Sequence, residues 1–502
     1  MNRLILAGAM IETELKFRVP PERRTALRRA VATASAAATR MQAVYFDTPQ
    51  LHLAQAGMAL RLRKEGRRWV QTLKGRLGLM ARSEHEVPLP PQRGEPALDL
   101  QRHADTAVGQ ALAAVLAGAG LAATDLQVLY RTDMLRLHRT LRHQGARFEI
   151  AYDRGHLVVG EGPARRRREI DELELELKSG PPQALVELAQ RWVARFGLWW
   201  DPRSKSEMGV RLALQQATRP ATRAQALDWP ATPSPAGLFA AALQASLAQA
   251  LANAAELADG DGAAEHLHQL RVGLRRLRAA LRLFAPWGAD PAAARALDDA
   301  WRTPFAALGA ARDADELALV LGPRLAAAGA PPFEWPAAGT APDLAATVCG
   351  ARFQSLLLRT LALSLAPGAE PAPAAPAARE VLRAAWRALL HDAAGFAQAD
   401  AAARHRLRKR LKRFRYALEF VQPLYPPKAT ARLLRAVGRA LSVLGDLNDI
   451  DGALATLKPH TAAQPQAWFA IGWLTARHDV LLAQAAVALA RLGDAPRPWR
   501  RG

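Results

Sequence analysis

The sequence predicts an α+β multidomain protein: an N-terminal antiparallel β-barrel with outer helices, followed by an all-α region built twice. Three observations carry this. Residues from about 10 to 215 contain many short segments in which apolar and polar side chains alternate. From about 238 to 495 the chain is rich in Ala, Leu and Arg at helical spacing. Within that stretch His268, Arg271, Arg275, Arg276 and Arg278 recur 137 positions later as His405, Arg408, Lys412, Arg413 and Arg415.

The bulk properties bound the answer. A chain of 502 residues, half of them apolar, can bury two or more cores and is not disordered. Its single cysteine, Cys349, excludes an internal disulfide framework and fits a reducing, cytoplasmic setting. No run is read as the roughly 18 uncharged apolar residues of a membrane span, so no membrane partner is expected. The leading "MNRLILAGAM" reads as a ragged start with Met10 as a second candidate initiator; a signal peptide is the weaker alternative. A net charge of +22 attracts polyanions such as nucleic acid, anionic lipid or phosphate chains.

In order along the chain, "IETELKFRV", "MALRLRK", "RWVQTLKG", "SEHEVPL", "VLYRTDMLRL", "ARFEIAYD" and "IDELELELKSG" read as strands. Helical inserts fall near 22–34, 105–118 and 182–196. A first domain is therefore placed at 10–217, a Pro/Ala linker at 218–237, and the helical region at 238–495. The low-complexity "PGAEPAPAAPAA" (367–378) divides the latter into halves at about 238–366 and 379–495.

Many of the strands combine an apolar face with a charged one: Glu12, Glu14 and Lys16; Arg61 and Arg63; Lys74; Glu84 and Glu86; Glu172, Glu174, Glu176 and Lys178. A solvated face explains any one of them. A closed barrel of about eight strands explains all of them together, because its interior holds one small ligand. Charges inside it must be neutralised, since an unpaired buried charge costs several kcal/mol. Arg and Lys suit a phosphate chain, and clustered carboxylates suit a hard divalent cation with oxygen ligands. No His/Cys cluster points to zinc, and no GxxxxGK[ST] loop points to a P-loop nucleotidase.

The segment "ETELK" fits the ExExK signature, and "VYFDT", "LRLRK", "QTLKG", "EIAYDRG", "ELELELKSG" and "SKSEMG" follow it in order. Over about residues 10–215 the chain thus resembles the CYTH domain, the triphosphate tunnel metalloenzymes, which include thiamine triphosphatase and class IV adenylate cyclases. The resemblance implies an eight-stranded tunnel that cleaves triphosphates with Mg²⁺ or Mn²⁺. It implies metal binding by Glu12, Glu14, Glu172, Glu174 and Glu176, with the choice among the last three open. It implies phosphate contacts from Lys16, Arg61, Arg63, Lys74, Arg131 and Lys205, with Glu86 and Asp153 as further acidic wall positions. Tyr45, Phe46, Trp199 and Trp200 are read as core, and His85 as structural.

In the helical region His268, Arg271, Arg275, Arg278 and Arg282 fall within about 80° of one helix face. The second copy places His405, Arg408, Lys412 and Arg415 likewise, with Glu419 where the last Arg would stand. Acidic segments "LGAARDADE" and "LGDLNDID" follow each copy and read either as partners for these cations or as helix-capping turns. These segments resemble the CHAD domain, which implies two four-helix halves binding inorganic polyphosphate through their basic residues. Nucleic acid is the less favoured polyanion, because no aromatics interleave for base stacking.

Together these readings predict hydrolysis of inorganic triphosphate, with polyphosphate bound by the helical region and association with polyphosphate granules. Thiamine triphosphatase, adenylate cyclase and a non-catalytic polyanion scaffold are the alternatives.

Overall fold

The computed structural model describes residues 10–227, 229, 233–310, 313–336, 343–366 and 372–500. The N-terminal "MNRLILAGA", part of the linker (228, 230–232) and part of the low-complexity break (367–371) lie outside the described residues.

Eight strands form the barrel: β1 (Met10–Arg18), β2 (Ala37–Asp47), β3 (Met58–Glu65), β4 (Arg68–Arg76), β5 (Ala81–Pro88), β6 (Gln127–His143), β7 (Ala146–Val159) and β8 (Arg166–Ser179). Their order is β5-β4-β3-β2-β6-β7-β8-β1, and an antiparallel β1–β5 pairing closes the ring. A two-residue strand, β9 (Trp199–Trp200), adds to β1. Closure gives every strand an inner and an outer face.

Helices cover the outer face: α1 (Arg24–Val31), α2 (His52–Gln55), α3 (Ala107–Gly118), α4 (Pro182–Phe196) and α5 (Lys205–Leu214). Beneath α4 lie Leu15, Phe17, Leu173 and Leu175, each with 1% exposure or less. Leu60 and Leu73 meet Val108, Leu112 and Leu116 of α3 in a second outer core. Thr13, Leu15 and Phe17 thus alternate with Glu12, Glu14 and Lys16, as the period-two pattern requires. The side chain of Ile11, also expected outside, is not among those described.

One end of the barrel is filled. Met41, Ala43, Tyr45, Tyr130, Met134, Leu157, Val159 and Ile170 pack there with Met208 of α5. Gly209 lets α5 settle on the Tyr130 ring, where a Cβ would lie 2.4 Å from the ring edge. Gln144 and Gly145, both at positive φ, form the two-residue turn that sets the β6–β7 register, with His143 opposite Ala146. That register puts Gly155 opposite Met134, close enough that a Cβ would stand 2.2 Å from the Asp133 carbonyl.

The helical region comprises α6 (Pro235–Ala258), α7 (Ala264–Leu283), α8 (Pro291–Ala300), α9 (Arg302–Ala310), α10 (Asp313–Ala327), α11 (Leu344–Cys349) and α12 (Ala351–Leu365), then α13 (Ala374–Ala394), α14 (Ala401–Val421), α15 (Pro427–Leu457) and α16 (Ala467–Gly493). The second half is four long helices; in the first, the third and fourth positions are broken into shorter pieces. The duplicated apolar stripe is core in both copies: Leu274, Leu277, Leu281 and Phe284 are buried, as are Leu411, Phe414, Leu418 and Val421.

The structure bears on three sequence-based expectations. The chain clusters into two compact units, neither of them continuous along the sequence. One holds the residues up to Arg223 with 248–270 and 348–365; the other holds 224–247, 271–347 and the residues from Ala366 onward. Ion pairs and hydrogen bonds described below tie the first set together. Second, α6 is by itself long and apolar enough to cross a membrane, and 67% of that window is buried in the protein. Its Gln249 and Asn253 are buried and hydrogen-bond Gln269 and the Thr222 backbone. Third, "LGDLNDID" is not a capping turn, because it lies inside α15, where Asp451 pairs with Arg404 of α14 and His478 of α16. Of "LGAARDADE", residues 311 and 312 lie outside the described residues, and the side chains of 310–316 are not among those described.

Replacing Gly155 by Ala is expected to destabilise the protein by about 2 kcal/mol, since the added methyl must push two strand backbones apart. Equilibrium denaturation of the variant measures this.

Candidate active site

Contacts that skip a strand show which side chains share the barrel interior. Lys74 on β4 reaches Glu12 on β1 at 2.8 Å, Arg61 on β3 reaches Glu84 on β5 at 3.6 Å, and Arg136 on β6 reaches Glu174 on β8 at 2.5 Å. The charged faces of these strands therefore line a common lumen, and the charges are paired within it.

Two groups form along the lumen. In the first, Lys74 lies 2.8 Å from Glu12 and 2.9 Å from Glu84, and those two carboxyls hydrogen-bond each other. Burial and the contact with Glu12 push Glu84 up to about 8. Burial alone would raise Glu12 too, but the Glu84 hydrogen bond and the Lys74 ammonium hold it at about 2. The two carboxyls thus oppose each other's ionisation beside a single ammonium. Arg61 donates to the Tyr45 hydroxyl at 3.1 Å, and Arg63 donates to Glu86 at 2.7 Å. Burial and its neighbour Arg61 lower Arg63.

In the second group Asp153 is fully buried and receives both arms of Arg136 at 2.7 Å. The Lys205 ammonium lies 2.8 Å from Asp153 and 2.7 Å from both Glu172 and Glu174. Lys16 completes the set, 2.9 Å from Glu172 and donating to the Arg203 carbonyl. Burial would raise Glu174, yet Lys205 and Arg136 outweigh it and hold its carboxyl well below the usual range.

Nearby, Glu14 pairs with Arg82 at 3.0 Å and Glu176 with Lys178 at 2.7 Å. Glu14 faces Glu176 directly in the β1–β8 register, and Glu149 faces Glu176 from β7. Burial raises Glu176, and the neighbouring Glu12 and Glu149 add to the rise.

The oxygens of Asp153, Glu172 and Glu174 lie within 4.8 Å of one another, the one such grouping of three potential ligands among the described residues. The Lys205 ammonium already sits against all three, so they can converge on one cation. Glu12 and Glu84 both lie against the Lys74 ammonium, where a divalent ion would favour ionisation of both. Both sets are hard oxygen donors, the chemistry that magnesium and manganese take. The residues present fit such an ion.

Of the residues singled out from sequence, Lys16, Arg61, Arg63, Lys74, Glu86, Asp153 and Lys205 meet in the lumen. The five glutamates do not form one cluster: Glu172 and Glu174 join Asp153, Glu12 joins Glu84, and Glu14 and Glu176 pair with their own cations. Arg131 is not brought there. It lies on the outer face of β6, half exposed, bridging Glu95 at 2.6 Å. Arg136, five positions on and of opposite parity, supplies the lumen cation of that strand. A signal for it was present: the Gln144–Gly145 turn places Arg136 opposite Asp153 by counting back along the hairpin. Glu84 and Glu149 were also missed as site residues. Tyr45 is core as read from sequence, stacked on Tyr130 at 4.4 Å, but its hydroxyl also holds Arg61. His85 contacts His103 at 2.8 Å, a structural role.

In the helical unit, Arg271 donates to the Leu308 carbonyl at 2.8 Å. Burial, Arg408 and Arg275 depress Lys412 to about 7, with Arg271 adding to the effect and Asp449 opposing it. These four cations from α7 and α14 therefore crowd together. Arg278 and Arg282 turn instead to Asp298 of α8, and Arg415 bonds Glu419 at 2.7 Å. His405 hydrogen-bonds Asn448 of α15 at 2.6 Å; His268 is half-buried on α7, one turn before Arg271. "LGDLNDID" thus supplies partners for the cations rather than a cap.

The chain matches the family model of the CYTH domain over residues 10–197 and that of the CHAD domain over 241–458. An inorganic triphosphatase of Haemophilus influenzae is 28% identical over 176 residues, 34% of this chain and 46% of that protein. The chain thus spans about half the length of this curated relative. The crystal structure of the CHAD domain from the plant Ricinus communis is 31% identical, covering 56% of this chain and 96% of that one, with a TM-score of 0.41. A Hippeastrum protein, described as a candidate adenylyl cyclase with dominant triphosphatase activity, is 17% identical, covering 41% and 96%, with a TM-score of 0.27.

Arg136→Ala is expected to cost about 3 kcal/mol of stability, because it strands the buried Asp153 beside Lys205 alone. Arg131→Ala, on the surface, is expected to stay within about 0.5 kcal/mol of the parent. Denaturant titration of the two variants side by side tests the assignment of the lumen cation.

Proposed function

Because the chain joins a CYTH domain to a CHAD domain, we propose that its barrel hydrolyses inorganic triphosphate to pyrophosphate and phosphate in a reaction dependent on Mg²⁺ or Mn²⁺. The observation that carries this is the lumen itself: a ring of buried Lys and Arg interleaved with carboxylates and joined to them in ion pairs. Such pairs can be exchanged for a phosphate chain and a divalent cation without leaving charge unmatched. The relative from Haemophilus influenzae supports the same reaction class.

Transfer of a phosphoryl group asks for positioning and charge neutralisation more than for covalent help. Water attacks the terminal phosphorus, the bond to the bridging oxygen breaks, and pyrophosphate leaves. Lys16, Arg61, Arg63, Arg136 and Lys205 hold the phosphate oxygens in this scheme. Arg61 and Arg63 present planar donor forks, Arg61 being set by the Tyr45 hydroxyl. Glu12 with Glu84, and Glu172 with Glu174 and Asp153, are the groups that would hold a divalent ion, which supplies charge neutralisation at the phosphate oxygens. The filled end beneath α5 keeps water from entering on that side.

The helical unit we read as a polyphosphate-binding module, using Arg271, Arg275, Arg408 and Lys412. Phe284, which follows α7, and Phe414 and Phe420 of α14 are buried in the core rather than offered to bases, while the exposed aromatics Trp468 and Phe469 lie on α16. Nucleic acid is therefore the competitor to test rather than the favoured ligand.

Phosphate release from triphosphate, ATP, thiamine triphosphate and long polyphosphate, with Mg²⁺ or Mn²⁺, tests the reading. Triphosphate is expected to have the highest kcat/KM, chelation to abolish turnover, and Glu12→Gln to lower it by on the order of 100-fold with folding kept. Preference for another substrate, or an unimpaired Glu12→Gln enzyme, overturns it.

Binding of polyphosphate by the full chain is expected to weaken as pH rises through 7. Free Lys412 loses its proton near 7, whereas a bound polyanion raises its pKa, so binding takes up a proton above that pH. The dependence should flatten in Lys412→Ala, as read by calorimetry at matched salt.

A further inference from the structure

The segment after β9 carries two of the lumen's cationic contacts. Lys16 donates to the Arg203 carbonyl, and Lys205 stands two residues further on. The Asp201 amide in turn donates to the Lys16 carbonyl at 3.0 Å. A Lys ammonium has no fixed fork, so its place is set by the acceptors around it. For Lys16 those acceptors are Glu172 and this one carbonyl.

What holds that carbonyl comes partly from outside the barrel. Arg203, 3% exposed, donates through Nε and Nη2 to Asp201 at 2.8 and 3.0 Å. Its remaining arm, Nη1, donates to Asp259 at 2.8 Å. Asp259 follows α6 and also accepts from Arg168 of β8 at 3.0 Å. One turn earlier Glu256 accepts from both arms of Arg211 on α5, a guanidinium also 3% exposed. Both buried arginines of the segment that delivers Lys205 thus find carboxylates at 256–259. Gln354 of α12 takes the Trp200 amide at 2.8 Å. All of these residues belong to the same compact unit.

We infer that Asp259 and Glu256 are positioning residues for the lumen, fixing the 201–205 segment so that Lys16 and Lys205 meet the phosphate chain. The inference rests on the triphosphatase reading for its kinetic consequence only. Lys16 and Lys205 contact the chain in the ground state as well as in the transition state. Loosening them therefore raises KM more than it lowers kcat. Asp259 touches neither substrate nor either lysine, so its effect travels through Arg203.

The test uses the full chain with Asp259→Asn and Asp259→Glu. Hydrogen exchange is read on peptides covering 199–211, and kinetics on triphosphate. Asp259→Asn is expected to speed exchange in that segment and raise KM roughly tenfold, with kcat within about twofold. Asp259→Glu is expected to restore both. Unchanged exchange, faster exchange with unchanged KM, or a loss that tracks melting temperature and is not rescued by Glu overturns the inference. Should the parent protein release no phosphate from triphosphate, the functional reading fails. The exchange data then decide the positioning role alone: faster exchange rescued by Glu sustains it, and unchanged exchange removes it.

Discussion

Burial of charge is the constraint on which the barrel depends. A closed sheet with charged inner faces can exist only if each lysine, arginine and carboxylate inside meets an opposite charge, since an isolated one costs several kcal/mol. The strands satisfy this across the lumen rather than along themselves: Lys74 to Glu12, Arg61 to Glu84, Arg136 to Glu174. The register of the sheet and the chemistry of the lumen are therefore one problem. A slip of one residue in any strand would turn its charges under the outer helices and its leucines into the lumen.

The same constraint reaches past the barrel's own sequence. Arg203 and Arg211 are buried at its filled end, and the local chain offers them Asp201 and Glu207. Further donors are met by Glu256 and Asp259 from another stretch of the chain. That need explains why a compact unit takes in helical residues far along the sequence. It also makes the geometry around Lys16 depend on residues that a division of the chain by composition assigns elsewhere.

The helical unit follows a different rule. Arg278 meets Asp298 and Arg276 meets Glu419, while burial and the closeness of Arg408, Arg275 and Arg271 depress Lys412 to about 7. Where the barrel interleaves charges of both signs, α7 and α14 bring four cations together. A lumen of paired charges suits a small ionic ligand that arrives with its own counterion. A cluster of cations suits an extended polyanion.

By itself the sequence determined the two architectures, because period-two alternation and a duplicated helical register are local and repeat many times. It also determined which residue types line the lumen: once helices cover the apolar faces of a closed sheet, the charged faces must turn inward. It did not decide which glutamates meet. Three at equal spacing on β8 are equivalent until their neighbours are known, and only the β7 register brings Asp153 to Glu172 and Glu174. Arg131 and Arg136 differ by parity, and β6 is charged on both faces, so the choice between them needed the hairpin turn and the Asp153 partner. The contribution of Glu256 and Asp259 had no local signal at all. It arises from two buried guanidiniums seeking counter-charges across the fold, and tertiary packing alone decides where those are found.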